Sequence, residues 1–138
     1  MSNSRNLLDV LRVAVMGIAT ALEYVFGGYD GIFITLVIFI TLDYLTGIGS
    51  AYVNKTLSSR IGAHGILKKV GILCIIALTT IIEKNILKTA SLRNAVILYY
   101  ISNEGISLLE NICKLGVPVP EKLRSILQTI NGDKIGDK

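Results

Sequence analysis

The stretch from Tyr29 to Val53 reads YDGIFITLVIFITLDYLTGIGSAYV and is the longest apolar run of the chain. As an α-helix, its 25 residues would be about 37 Å long, enough to cross a bilayer core of about 30 Å with some tilt. Asp43 is its only charged residue after Asp30. The stretch therefore predicts a transmembrane helix that carries one carboxylate, and the other segments can be placed around it.

The composition of the whole chain agrees with a membrane environment. Of its 138 residues, 51% are apolar and only 17% are charged, and the mean hydropathy is +0.60. These values exclude a disordered tail, a collagen and a disulfide scaffold, and they argue against an ordinary soluble domain. The net charge of +4 comes without a basic patch interleaved with aromatic residues, so no nucleic-acid partner is expected. We expect a single membrane domain covering residues 1–138.

Further segments show apolar residues at helical spacing, and the pattern predicts an all-α integral membrane protein. The predicted helices cover residues 7–26, 29–53, 66–83 and 92–115, followed by a short amphipathic helix at 121–130 and a loose tail at 131–138. The first helix carries a polar stripe, so it either spans the membrane, lies in the interface or acts as a signal peptide. The prediction is a four-helix transmembrane bundle, or three spans plus an interfacial N-terminal helix, with a short cytoplasmic C-terminal helix.

Two of these segments carry features that shape the expected bundle. The polar stretch from Asn54 to Lys69 contains two glycines, which predicts a loop rather than one continuous helix and leaves a short third span. In the fourth helix, Ile101 belongs to an apolar side that is expected to face lipid. A polar stripe that includes Asn103, Ser107 and Glu110 is expected to face protein or water, because polar groups are costly in lipid.

The distribution of cations predicts the orientation. If four segments cross the membrane, eleven cations lie on one side and three on the other. The positive-inside rule then places both termini and the middle loop in the cytoplasm. The orienting cations of the middle loop are Lys55, Arg60, Lys68 and Lys69.

The sequence contains no enzyme motif, and we expect neither catalytic residues nor a metal or cofactor. Ser58 and Ser59, which precede His64, are interpreted as helix-capping residues, and the two cysteines as packing residues. The candidate functional residues are instead acids at membrane depth and their polar or small neighbours, because an unpaired buried charge costs several kcal/mol. They are Glu23, Asp43, Gly47, Asn103, Glu104, Ser107 and Glu110.

Three motifs give the sequence a resemblance to a known family over roughly residues 30–125. They are Asp43-x-x-Thr46-Gly47, Leu57-Ser58-Ser59-x-x-Gly62-x-x-Gly65-x-x-Lys68-Lys69, and Asn103-Glu104-Gly105-Ile106-Ser107-x-x-Glu110-Asn111 followed by Gly116-Val117-Pro118-Val119-Pro120. In this order and at these spacings, the motifs resemble the phage-lysis and toxin-secretion holin family. That family includes the holin-like protein encoded beside large clostridial toxin genes.

The resemblance implies a small protein of the bacterial inner membrane, encoded by a phage or prophage, whose partners are lipid and further copies of itself. Members of this family accumulate, oligomerise and open lesions at a set time. The lesions let an endolysin reach the cell wall, or let a toxin without a signal peptide leave, and direct contact with that protein is not required. The family brings no catalytic residues.

Two other functions remain compatible with the residues. One is a small ion or proton channel, or a transporter subunit, in which Asp43 and Glu104 act as relay groups. The other is a membrane adaptor that forms no pore and presents the basic middle loop and tail to a partner. Abrupt loss of membrane potential on expression would favour a holin, ion-selective flux without protein release would favour a channel, and neither effect would favour the adaptor.

Overall fold

The computed structural model describes residues 2–88 and 91–131, and all regular secondary structure within these residues is helical. The elements are α1 (Ser2–Phe26), α2 (Gly31–Val53), α3 (Ser59–Ile82), a π-helical segment (Glu83–Leu87), α4 (Leu92–Lys114) and α5 (Glu121–Asn131). The all-α prediction is therefore confirmed for the described residues. The predicted tail at 131–138 lies outside them, apart from the last residue of α5.

Two consecutive glycines form the turn between α1 and α2. Gly27 and Gly28 have positive φ angles of 79° and 106°, which glycine adopts without steric cost. Asp30 then caps α2, because its side chain accepts a hydrogen bond of 3.1 Å from the backbone N–H of Phe33. These residues reverse the chain within a few positions and fix the start of α2.

The predicted loop from Asn54 to Lys69 is wrong from Ser59 onwards, because α3 begins there. Ser58 caps this helix by accepting a hydrogen bond of 3.2 Å from the backbone N–H of Ile61. Gly62 and Gly65 of this helix make room for Tyr44 of α2, since a Cβ at Gly65 would lie 3.3 Å from the Tyr44 ring. A glycine costs about 1 kcal/mol in a helix, which is small beside the interhelical packing that it allows.

The third helical stretch is consequently much longer than the sequence pattern indicated. With the π-helical segment it is continuous over Ser59–Leu87, which is 29 residues. The third span is therefore not too short for the bilayer, as the sequence pattern had suggested. By length and apolar composition, this stretch and α2 are the two described helices that could cross a membrane.

Helices α2, α3 and α4 form one bundle around an apolar core. Its buried members are Phe33, Leu36, Ile72, Ile76, Ile97 and Ile101. Arg93, near the start of α4, pairs with Asp30 at the start of α2, and Asn111, near the end of α4, contacts Asp43 in the second half of α2. These contacts make α2 and α4 parallel, and α3, which connects them, runs in the opposite direction.

The faces of α4 differ from the sequence-based expectation. Ile101 was predicted to face lipid, but it is buried in the core beside α2 and α3. The exposed apolar residues of this helix lie elsewhere and include Leu98. Helical periodicity identified an apolar stripe correctly, but it could not decide which stripe faces the neighbouring helices.

The two outer helices have different relations to the bundle. Side chains of α1 are exposed from residue 6 to residue 24. Near its end, Lys84 donates a hydrogen bond of 2.8 Å to the backbone carbonyl of Tyr24. In contrast, α5 folds back along α4, where the Leu127 side chain is buried beside Gly105 and Phe39.

Candidate functional site

Three charged side chains from three helices meet inside the bundle. The Lys69 ammonium of α3 donates hydrogen bonds to Asp43 Oδ2 of α2 and to Glu104 Oε2 of α4. Both carboxylates are buried, with exposed fractions of 7% for Asp43 and 2% for Glu104. One lysine therefore joins all three helices of the bundle through charged hydrogen bonds, which are stronger than neutral ones.

Asn111 of α4 completes this arrangement. Its Nδ2 donates hydrogen bonds of 3.0 Å to Asp43 Oδ1 and 3.3 Å to the Asp43 backbone carbonyl. Gly47 leaves the necessary space, because a Cβ at this position would lie 3.4 Å from Asn111 Nδ2. We refer to Asp43, Lys69, Glu104 and Asn111 as the charge cluster.

The charge cluster lies close to the middle of each helix. Asp43 and Glu104 are each 12 residues after the first residue of their helices, and Lys69 is 10 residues after the start of α3. At a rise of 1.5 Å per residue, the three side chains are about 15–18 Å from those helix ends. This is the position where water is least available if the helices cross a bilayer of about 30 Å.

The charges within the cluster do not cancel. Two carboxylates and one ammonium carry a net charge of −1 when all are ionised, in an environment that penalises any uncompensated charge. Buried ion pairs contribute little net stability compared with apolar residues of the same volume, because desolvation offsets most of their attraction. The cluster is therefore a costly way to hold three helices together, which favours a role beyond folding.

The surroundings of the cluster differ on its two sides. Towards the Asp30 end, the apolar core closes the space between the helices. Towards the loop at residues 54–58, an open cavity of about 270 Å³ lies between α2 and α3. Its lining includes Asp43, Tyr44, Gly47, Gly62, Gly65 and Lys69. A cavity of this size has room for water beside the carboxylate of Asp43 and the ammonium of Lys69.

A second polar centre lies at the opposite end of the bundle. The Arg93 guanidinium donates hydrogen bonds to Asp30 Oδ2 at 2.7 Å, to the Phe26 carbonyl at 2.6 Å and to the Gly28 carbonyl at 3.2 Å. The backbone N–H of Arg93 donates a hydrogen bond of 2.6 Å to Glu83 of the π-helical segment. We call this centre the Arg93 clamp, because it joins the α1–α2 turn to the adjacent ends of α2, the π-helical segment and α4.

The Arg93 clamp also sets the ionisation of Asp30. The side-chain hydrogen bond from Arg93 holds the pKa of Asp30 below its ordinary value of 3.8. Asp30 lies outside α2, and about half of its side chain is exposed. The pair consequently stays ionised at neutral pH.

Comparison of the sequence with known protein families identifies one match. A sequence model of the bacteriophage holin family matches residues 20–132. The chain belongs to the bacteriophage holin family. This confirms the resemblance drawn from the three motifs, and the matched region contains the whole charge cluster and the Arg93 clamp. The holin family is not a family of enzymes.

Similar proteins from bacteria and from a phage align with most of this holin-family chain. An uncharacterized 14.9 kDa protein in the nagH 3′ region of Clostridium perfringens is 38% identical over 131 residues, 94% of this chain and 98% of that protein. A protein named "probable holin" from Bacillus phage phi105 is 31% identical over 113 residues, 82% of this chain and 83% of that protein. An uncharacterized Listeria innocua protein is 36% identical over 130 residues, 94% of this chain and 91% of that protein. No solved structure matches the chain.

The candidate residues predicted from the sequence differ in how deeply they are buried in this holin-family chain. Asp43, Gly47 and Glu104 lie in or against the charge cluster. Asn103 and Ser107 are half-buried beside it on α4. The remaining candidates are exposed, namely Glu23 and Glu110 together with the orienting cations Lys55, Arg60 and Lys68.

Lys69 has a place that the sequence analysis missed. It was counted as an orienting cation in a loop, but it is the central donor of the charge cluster. A signal was present, because Lys69 precedes the core residues Ile72 and Ile76 by three and seven positions, which puts all three on one helical face. The expectation of a loop concealed that periodicity. The sequence analysis also missed Asn111 and Arg93 as partners of acidic residues.

Proposed function

We propose that this chain is a holin that oligomerises in the bacterial cytoplasmic membrane and opens lesions that release an endolysin or a toxin without a signal peptide. The charge cluster is the observation that carries the proposal. It stores three charged side chains in the middle of helices whose outer faces are largely apolar. Such a subunit can reside in lipid and still contain the polar groups that a water-filled lesion needs.

The arrangement of the cluster supports a defined opening movement. Lys69 lies on α3, whereas its acceptors lie on the two parallel helices α2 and α4. Moving α3 away from this pair would expose the Lys69 ammonium on α3 and the two carboxylates on the surface of α2 and α4 that α3 had covered. Hydrogen bonds to water would compensate for the lost ion pairs, whereas lipid offers no such partners. Several subunits that open together could therefore surround a water-filled space.

The topology that we propose has α2, α3 and α4 crossing the membrane, with the middle loop and the C-terminus in the cytoplasm. With Lys69 and the adjacent Lys68 removed from the count of eleven, nine cations still oppose three, so the charge bias is retained. The exposure of Lys55, in the loop, and of Arg60, at the start of α3, supports their role as orienting cations. The exposed helix α1 either forms a fourth span or lies in the interface.

Cysteine labelling tests this topology. In a Cys74→Ser/Cys113→Ser background, a membrane-impermeant maleimide added to intact cells should label a cysteine at Tyr29 and fail to label one at Ser59. Labelling at Ser4 would establish three spans, and protection there would establish four. Efficient labelling at Ser59 from outside would contradict the orientation.

Expression with and without a cytoplasmic endolysin tests the function itself. The chain alone should stop growth with a sudden loss of membrane potential, and the chain with the endolysin should cause an abrupt drop in turbidity. The endolysin alone should do neither. Turbidity that stays constant when both proteins accumulate would contradict the proposal.

A second candidate function is an ion or proton channel, which the cavity lined by Asp43 and Lys69 favours. Such a channel would dissipate the membrane potential, but it would not release a folded endolysin. The same expression experiment therefore separates the two functions, because only a holin gives endolysin-dependent lysis.

A further inference from the structure

Helix α5 docks on α4 at the level of the charge cluster. The Ser102 hydroxyl donates a hydrogen bond to the backbone carbonyl of Leu127. The Leu127 side chain lies against Gly105, where an added Cβ would be 2.9 Å from Leu127 Cδ1. Ser102 and Gly105 are both buried and flank Glu104 in the sequence, so Leu127 lies about half-way along the bundle.

The chemistry of α5 is incompatible with hydrocarbon at that depth. Its sequence is EKLRSILQTIN, with three charged and four uncharged polar residues among eleven. Charged side chains are unfavourable at the centre of a membrane unless they are paired or reach water. In the topology of the proposed function, the surface of α4 that α5 covers therefore faces water or other subunits rather than lipid.

The contact between α5 and α4 buries one apolar side chain of α5. Leu127 has an exposed fraction of 7%, but Leu123, Ile126 and Ile130 remain 43–48% exposed. An open cavity of about 470 Å³ lies between the beginning of α5 and the end of α4. Its lining consists of Cys113, Val119, Glu121, Arg124, Ser125 and Gln128. A helix that buries one leucine beside an open cavity can detach without unfolding the bundle of α2, α3 and α4.

We propose that α5 is a detachable plug, which covers the water-facing surface of α4 in the closed state and leaves it when the lesion opens. This inference rests on the proposed function and assigns the face of the subunit that lines the lesion. Release of α5 exposes the Ser102 hydroxyl and the Leu127 carbonyl, and both can then bond to water. In lipid the Ser102 hydroxyl would lose its acceptor on α5 without gaining water, so release is favoured where water enters.

Accessibility of position 102 measures the release of α5 directly. The reporter is Ser102→Cys in the full chain with Cys74→Ser and Cys113→Ser, labelled by a water-soluble maleimide from the cytoplasmic side of inverted membrane vesicles. Adding Leu127→Ala should accelerate labelling at least about tenfold, because truncation of a buried leucine changes an equilibrium by one or more powers of ten. The matched control Ile126→Ala removes an exposed apolar side chain from the same helix and should leave the rate unchanged.

Release of an entrapped fluorescent dextran from reconstituted phospholipid vesicles links this movement to the lesion. Leu127→Ala, without the cysteine changes, should release dextran several times faster than wild type and Ile126→Ala at equal protein content. Ser102→Ala, which removes only the hydrogen bond, should act in the same direction if Leu127→Ala fails to insert. Wild-type protein that releases nothing would contradict the proposed function. Wild-type release that Leu127→Ala and Ser102→Ala leave unchanged would contradict the plug alone.

Discussion

Replacing Lys69 by methionine is expected to destabilise the bundle by about 3–5 kcal/mol, the range for breaking a buried charge pair from one side. The change removes the ammonium that bonds to Asp43 and Glu104 but keeps most of the side-chain volume. Two buried carboxylates would then face each other without a cation, and at least one would have to bind a proton. The amount of intact protein in the membrane at a fixed rate of synthesis should fall strongly.

Lys68 provides a matched control for this substitution. It is the same residue type at the neighbouring position of the same helix, but its side chain is exposed. Lys68→Met should leave the amount of membrane-inserted protein and its melting temperature in detergent close to wild type. Equal effects of the two substitutions would show that the charge cluster does not hold α3 in place.

Replacing Arg93 by methionine should have the second largest effect. The guanidinium binds Asp30 and the carbonyls of Phe26 and Gly28, so its loss leaves a carboxylate and two carbonyls without their donor. We expect a loss of about 2–4 kcal/mol, since each buried acceptor left unpaired costs about 1–3 kcal/mol and Asp30 is partly hydrated. The melting temperature in detergent should show this loss.

The pH dependence of unfolding separates the ion pair from the other Arg93 contacts. Because the pKa of Asp30 is lowered in the folded state, its pair stabilises the fold above pH 3.8 and loses this contribution as the pH falls through the lowered value. Arg93→Met should lack that part of the acid destabilisation. Arg60→Met, at an exposed arginine, should keep the wild-type profile, and a profile unchanged in Arg93→Met would contradict the pairing.

The sequence predicted helices well because apolar periodicity and caps are local features. Asp30 and Ser58 cap α2 and α3 through side chains that act within three positions, although the third helix was predicted to begin only at residue 66. The loop predicted around Gly62 was wrong for a non-local reason. Glycine lowers helix propensity, but at this position it admits Tyr44 from another helix, and a single sequence does not show that partner.

Of the charge cluster, the sequence pattern indicated the two acids, Asp43 and Glu104, but not the two hydrogen-bond donors, Lys69 and Asn111. Asp43 is conspicuous because it interrupts an apolar run, so its need for a partner follows from the cost of burying a charge. Lys69 looked like an ordinary cation at a membrane boundary, where lysines are common. The spacing of Lys69 to Ile72 and Ile76 puts it on the core face of α3, but its acceptors lie on other helices, and a single sequence does not show such distant partners.

The most direct test of the account is lysis by a chain whose charge cluster has been neutralised as a whole. Asp43→Asn, Lys69→Met and Glu104→Gln together keep the volumes and remove all three charges, so that no unpaired charge is left buried, whereas Lys69→Met alone leaves two. The triple variant should accumulate in the membrane at least as well as wild type, unlike Lys69→Met alone. If the buried charges serve opening rather than folding, turbidity in the presence of endolysin should fall much later than with wild type at equal protein levels, or not at all. Lysis at the wild-type time would contradict the account.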